Sequence, residues 1–152
     1  MRRLMPILGV GLLVALSAPV LAAPQATKDE AMAMVKGALA SIKKDGPEVT
    51  YAEISNKSGK FVERDLYVVV YRLDGHVLAH GANAKLVGTD QSNAKDVDGK
   101  AFVKERIALA QKQPHFWQAY KFKNPVTQQI ESKQTYCERY GDTAVCAGVY
   151  KF

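Results

Sequence analysis

Three side chains that can donate hydrogen bonds flank a predicted tight turn near the middle of the chain. The stretch DLYVVVYRLDGHVLAHG runs from Asp65 to Gly81 and contains Asp74-Gly75, a dipeptide typical of two-residue hairpin turns. In the register that this turn implies, Tyr67, Tyr71 and His80 share one face of the sheet. Phenol and imidazole groups are costly to bury without partners, so this face carries the polar groups that a small-ligand pocket needs.

The opposite face of the same hairpin is predicted to be aliphatic. The register pairs Tyr71 with Leu78 and Val69 with His80, which adds Leu78 to the polar face. The residues expected on the other face share small or branched apolar side chains: Val68, Val70, Val77 and Ala79. A helix can cover such a face, which leaves the tyrosines and the histidine on the side away from it.

Signatures of catalysis and of metal binding are missing from the sequence. It contains no G-x-S-x-G or H-E-x-x-H motif and no cysteine outside one pair. Asp90, Asp96 and Asp98 lack the glycine and terminal glutamate of a calcium-binding loop, and we interpret them as a turn that leads into a helix. His80 with Asp65 or Asp90 would be the acid–base pair of an enzyme, which is the weaker hypothesis. No metal or cofactor is predicted.

Cys137 and Cys146 are predicted to form a disulfide across a second hairpin. They flank CERYGDTAVC, in which Gly141-Asp142 suits a two-residue turn and Tyr140 then faces Thr143. Counting outward from the turn makes the cysteines a directly opposed, non-hydrogen-bonded pair, whose short Cα separation suits a disulfide. A redox-active pair would favour C-x-x-C spacing, and two cysteines without nearby histidines make a poor zinc site.

Residues 1–22 are predicted to be a secretory signal peptide. The stretch MRRLMPILGVGLLVALSAPVLA has a basic start, an apolar run and small residues before a cleavage site after Ala22. An uncleaved anchor would need about 20 uninterrupted apolar residues, and Pro19 argues against it. We therefore expect a soluble periplasmic protein, residues 23–152, that forms one domain with no membrane span.

The charge of this mature chain excludes a nucleic-acid partner. Loss of Arg2 and Arg3 lowers the formal net charge from +6 to +4. The remaining basic residues are scattered, whereas a nucleic-acid surface is clustered and interleaved with stacking aromatics. We interpret the charge as a solvated surface with a mild preference for anions.

Periodicity and turn residues predict helices and strands that form an α+β fold. Thr27 and Glu30 have capping-box spacing, which begins a helix that extends to about Lys44. The other predicted elements are a helix from Pro47 to about Asn56, strands Leu66 to Leu73 and His76 to His80, a helix Ala101 to Gln111, and strands Phe116 to Phe122, Ile130 to Tyr140 and Thr143 to Tyr150. This order predicts an antiparallel sheet covered by helices.

From about Pro47 to the end, the chain resembles the single Cache domains, extracytoplasmic sensor modules with a PAS-like sheet. The resemblance lies in DLYVVVYRLDGHVLAHGANAKLVGTD, DVDGKAFVKE, FWQAYKFKNPVTQQIESKQTYCERY and AGVYK, in that order. It implies a long N-terminal helix packed on a five-stranded antiparallel sheet with an inserted helix. It also implies that small organic anions, such as short carboxylates, bind on the sheet face away from that helix.

The resemblance also implies which residues bind the ligand. His80 matches the histidine that follows the first hairpin, and Lys133, in ESKQTY, matches a lysine that precedes a tyrosine. The predicted ligand-binding residues are Tyr67, Tyr71, His80, Trp117, Lys133 and Tyr136. His80 and Lys133 would neutralise a carboxylate, and the aromatic residues would enclose its aliphatic part. Structural alternatives are a strand-end histidine bonded to a backbone carbonyl, tyrosines in the core and an exposed lysine.

Strand parity limits this set of residues. Lys133 and Tyr136 are an odd number of residues apart, so both reach the ligand only if a bulge interrupts the strand. Trp117 and Tyr120 have the same spacing, so one of them is expected to wall the pocket and the other to pack elsewhere.

Two functions are predicted from these observations. The first is a periplasmic module that binds a small organic acid. Members of the family usually form the outer half of chemotaxis receptors and sensor kinases, and no such segment follows Phe152, so we expect a free-standing protein that acts on a membrane receptor or sensor kinase. The second is an interaction or envelope-stress protein whose pocket is filled by its own side chains.

Overall fold

A computed structural model describes residues 24–150, and the predicted signal peptide lies outside this range. The first helix, α1, has the predicted capping box at its start. The Glu30 backbone N–H donates to Thr27 Oγ1 over 3.2 Å, and the Thr27 N–H donates to Glu30 Oε2 over 2.7 Å. These two bonds satisfy donors that the first helical turn would otherwise leave free, which explains why the helix begins here.

The elements follow the predicted order, with one short strand added. They are α1 (Lys28–Asp45), α2 (Pro47–Ile54), β1 (Val62–Glu63), β2 (Leu66–Arg72), β3 (Val77–His80), a 3₁₀ turn (Ala84–Leu86), α3 (Phe102–Lys112), β4 (His115–Lys123), β5 (Ile130–Tyr140) and β6 (Thr143–Tyr150). Within residues 24–150 the sheet has six antiparallel strands, where five were expected, because the two-residue β1 pairs with the start of β2.

The strand order brings distant parts of the chain together. It runs β1-β2-β6-β5-β4, and β3 also pairs with β2. The last strand, β6, therefore lies between β2 and β5 at the centre of the sheet. Side chains from the first and second hairpins can meet on one face only because β6 joins them.

The two faces of the sheet have different cores, as the hairpin predicted. Val68 and Val70 pack with α1 and α2, whereas Tyr67, Val69 and Tyr71 pack on the side of α3. One detail of the register was wrong, because Tyr71 pairs with Val77 and not with Leu78. A β-bulge between Val70 and Tyr71 shifts the pairing by one residue, so Val77 joins the α3 side and Leu78 packs on the α1 side.

The second hairpin has the predicted register and the predicted disulfide. Tyr140 pairs with Thr143, and Cys137 lies directly opposite Cys146 with a Cα–Cα distance of 4.1 Å. Gly141 has a φ of +60°, which suits the turn and is costly for most other residues. The disulfide joins β5 to β6 at the centre of the sheet, beside the cavity described next.

Candidate small-molecule site

A small enclosed cavity lies between the sheet and α3, on the face away from α1. Its lining residues come from β2, β3, β4, β5, β6 and α3: Tyr67, Val69, Tyr71, His80, Phe102, Arg106, Tyr120, Phe122, Lys133, Thr135, Cys146, Ala147 and Gly148. The cavity volume is about 10 Å³, roughly the least that can hold one water molecule. The space is therefore almost filled by the protein's own side chains.

Lys133 is a buried cation in this cavity, with 2% of its surface exposed. Its ammonium donates to the Tyr67 hydroxyl over 2.8 Å and to the Tyr150 hydroxyl over 3.2 Å, and it lies 4.0 Å from the centre of the Tyr67 ring. Among residues 24–150, no carboxylate forms an ion pair with it. Two of its three N–H donors are used by phenols, which leaves one for a ligand.

Gly148 makes room for the Lys133 side chain. A Cβ at this position would lie 2.6 Å from Lys133 Cε and would overlap Thr135 Oγ1. The glycine on β6 is therefore needed so that the lysine on the neighbouring strand can lie flat along the cavity floor.

Arg106 is a second buried cation, supplied by α3. Its Nε donates to Gln118 Oε1 over 3.0 Å, and its guanidinium lies 5.1 Å from the ring centres of both Tyr71 and Tyr120. Burial lowers the pKa of Arg106, but the nearby phenols of Tyr120 and Tyr71 outweigh burial and raise it. The Nη2 atom of Arg106 is buried and has no hydrogen-bond partner within the described residues.

Sequence reasoning missed Arg106 as a site residue. Arg106 lies on the same helical stripe as the apolar residues Phe102, Val103 and Ile107. A charged residue in an apolar stripe was itself the signal, because arginine is almost never fully buried unless it has a partner.

The cavity is electrostatically one-sided. Its lining contains Arg106 and Lys133 but no aspartate or glutamate. Burial would raise the pKa of Tyr120, but Lys133 and Arg106 reverse this and lower it below its usual value. The two cations therefore give this part of the cavity a positive potential, which favours a negative charge.

His80 is a neutral hydrogen-bond donor in this site. Its Nδ1 accepts the backbone N–H groups of Ala82, over 3.2 Å, and Asn83, over 2.9 Å, which leaves the proton on Nε2. Burial, followed by the charges of Lys133 and Arg106, lowers the pKa of His80 to about 3. We had expected the charge of His80 to neutralise an anion, and this expectation was wrong because the ring is neutral. The His80 ring bonds to backbone N–H groups and not to a backbone carbonyl.

A family assignment follows from the sequence itself. Residues 12–149 match the profile of the family described as Single Cache domain 2. The chain belongs to this family. Cache domains are extracytoplasmic sensor modules that bind small molecules. The match begins at residue 12, inside the predicted signal peptide, whose cleavage stays a prediction.

Solved structures with the same fold include chemotaxis and chemosensory proteins. A methyl-accepting chemotaxis protein from Vibrio parahaemolyticus is 22% identical, with a TM-score of 0.70 over 81% of this chain and 87% of that one. A Cache chemosensory domain described for carboxylic acid recognition is 22% identical, with a TM-score of 0.68 over 82% of this chain and 92% of that one. A periplasmic sensor domain of a chemotaxis protein is 17% identical, with a TM-score of 0.65 over 82% of this chain and 90% of that one.

These likenesses show the fold of the Cache domain and not its ligand. The curated proteins contain no significant sequence match to this chain. Among residues 24–150, no helix has both the length and the apolar character needed to cross a membrane.

Trp117 and Tyr136, two of the predicted ligand-binding residues, do not line the cavity of this Cache domain. They are paired across β4 and β5, on the face that packs toward α1, where Lys28 Nζ lies 5.4 Å from the Trp117 ring. The pairing of β4 with β5 is continuous, so no bulge brings Lys133 and Tyr136 to the same face. Tyr120 takes the position in the wall that we had assigned to Trp117.

The aspartates between β3 and α3 form turns, as interpreted from the sequence. Asp96 Oδ1 accepts the backbone N–H groups of Asp98 and Lys100, over 3.0 and 2.9 Å, and Asp90 accepts that of Ser92 over 2.8 Å. Within residues 24–150, no cluster of three potential metal ligands is present.

Proposed function

We propose that this Cache domain is a periplasmic binding module that captures a small carboxylate and reports its bound state to a membrane receptor or sensor kinase. The observation that carries the proposal is a cavity with two buried cations, Arg106 and Lys133, and no acidic residue in its lining. Burying an ion costs several kcal/mol, and no carboxylate in the lining balances the charge of either cation, so an anion would be favoured there.

Three hydrogen-bond donors of the site match the chemistry of a carboxylate. Arg106 Nη2 has no partner among the described residues, Lys133 has one N–H to offer, and His80 carries its proton on Nε2. A carboxylate has two oxygens with about four acceptor positions, and its hydrogen bonds with cations are the strong ones in proteins. The phenyl and phenol rings that line the same cavity suit a short aliphatic chain.

The small volume of the cavity supports a second candidate. A protein that kept this fold for an interaction would have a pocket filled by its own side chains, and a volume of about 10 Å³ fits that description. Binding of a carboxylate therefore requires the side chains that line the cavity to move apart, and the ligand would accept the N–H of Lys133 that the two phenols leave free. We favour the binding module because a filled pocket without a ligand has no use for two buried cations.

A thermal-shift experiment separates the two functions. Residues 23–152 would be melted against acetate, propionate, lactate and pyruvate, with the corresponding amides as uncharged controls. A carboxylate at 100 times its dissociation constant should stabilise the domain by about 2.7 kcal/mol. The shift should disappear in Arg106→Gln and Lys133→Gln and remain in Tyr136→Phe, which lies on the other face. No shift with any acid would favour the interaction protein.

A further inference from the structure

A second, larger concavity opens beside the cavity, between the 3₁₀ turn and the β4–β5 turn. We call it the lysine groove. It has a volume of about 460 Å³ and is lined by Lys57, Tyr67, His80, Ala82, Asn83, Lys85, Leu86, Phe122, Lys123, Pro125 and Gln128. Its size would admit a small organic anion with its hydration shell, which the inner cavity would not.

The charge of the lysine groove is unbalanced. Lys57, Lys85 and Lys123 line it, and no aspartate or glutamate does. None of the three has an ion pair with a carboxylate in residues 24–150, whereas Lys60 and Lys121 elsewhere on the surface are paired with acidic residues. A concave surface lined by charge of one sign raises the local concentration of the opposite ion.

The lysine groove and the inner cavity share a wall. Tyr67, His80 and Phe122 line both spaces, and the rings of Tyr67 and His80 are stacked with their centres 5.2 Å apart. His80 also fixes Ala82 and Asn83, two residues of the groove lining, because their backbone N–H groups donate to its Nδ1. Because these residues line both spaces, a rotation of their rings would join the two.

We propose that the lysine groove is an outer anion subsite and the entrance to the inner cavity. The carboxylate first meets Lys57, Lys85 and Lys123, and then passes between Tyr67, His80 and Phe122 to Arg106 and Lys133. This inference rests on the proposed function and adds a division of roles: the groove sets the rate of association, and the buried cations set the rate of dissociation.

Exchange measurements by NMR test this division with ¹³C-labelled acetate, propionate, lactate and pyruvate as probes. The triple variant Lys57→Gln, Lys85→Gln, Lys123→Gln should lower the association rate constant about tenfold at low salt, because steering of this kind contributes a factor of about 10 to 1,000. The dissociation rate constant of this variant should not change, and its association rate constant should depend less on the salt concentration. The charge-matched control is the triple variant Lys36→Gln, Lys43→Gln, Lys44→Gln, whose lysines are exposed on α1.

The outcomes distinguish the two levels of the proposal. If the parent binds a probe but the groove variant associates as fast as the parent, or the α1 control slows equally, the groove inference is overturned while the binding function stands. If the groove variant instead accelerates dissociation, the lysines belong to the final site and the inference is also overturned. If the parent binds none of the four acids, both proposals fall.

Discussion

Replacement of Lys133 by methionine tests whether this residue is present for the ligand or for the fold. Methionine keeps most of the length of the side chain and removes the buried charge. The phenols that contact the lysine stay satisfied without it, because the Tyr67 and Tyr150 hydroxyls lie 3.2 Å apart and the Tyr150 hydroxyl also donates to the Lys123 carbonyl over 2.9 Å. No buried donor or acceptor of these two tyrosines is therefore orphaned by the substitution.

The expected change in the free energy of unfolding without ligand is close to zero. Burying the ammonium costs several kcal/mol, and two hydrogen bonds to a charged group return about 1.5–3 kcal/mol each. These opposing contributions nearly cancel, so Lys133→Met should lie within about 1 kcal/mol of the parent. If the lysine were structural, its loss should cost about 3–5 kcal/mol, as when a buried charged network is broken.

Urea unfolding of the parent and the variant measures this difference, and each is repeated with saturating carboxylate. The ligand should stabilise the parent by about 2.7 kcal/mol at 100 times its dissociation constant and should leave the variant unchanged. Lys36→Met, at an exposed position on α1, is the control and should behave as the parent. A ligand-free loss of 3 kcal/mol or more in Lys133→Met would refute the reasoning.

Two further substitutions test the site from other directions. The pKa of His80 is about 3 in the folded protein, against 6.5 for the free side chain. Its contribution to the free energy of unfolding is therefore complete above about pH 6.5. This contribution is lost as the pH falls toward 3, by up to about 1.4 kcal/mol per pH unit. His80→Asn keeps an acceptor for the loop but does not titrate, so urea unfolding between pH 4 and 7 should give a shallower pH dependence; an unchanged slope would contradict this origin. Gly148→Ala crowds Lys133 and Thr135, and should lower stability by about 1–3 kcal/mol and abolish the ligand-induced shift. Its control is Gly37→Ala, where nothing lies within 4 Å of the added carbon and about 1 kcal/mol of helix propensity is gained. If calorimetry finds Gly148→Ala as stable as the parent and still able to bind, the glycine is not needed at the cavity floor.

Local patterns in the sequence were sufficient for every helix and strand except the short β1, and for the second hairpin. The α1 capping box, the opposition of Tyr140 and Thr143, and the Cys137–Cys146 pair all depend on residues close in the chain, whose geometry is set by helix capping or by counting from a turn. The same counting failed at Tyr71, because a bulge adds a residue to one strand and leaves no mark in an alternating apolar pattern.

The site was decided by tertiary structure. Tyr67 and Lys133 are separated by 66 residues and meet because β6 lies between their strands, and Arg106 joins them because α3 packs across the same face. The sequence by itself determined that one sheet face would carry tyrosines and a histidine, and only the resemblance to the family added Lys133 to them. Only the fold decided that Trp117 would point away and that two cations would be buried together, because strand parity and helix placement depend on long-range pairing that no short stretch of sequence specifies.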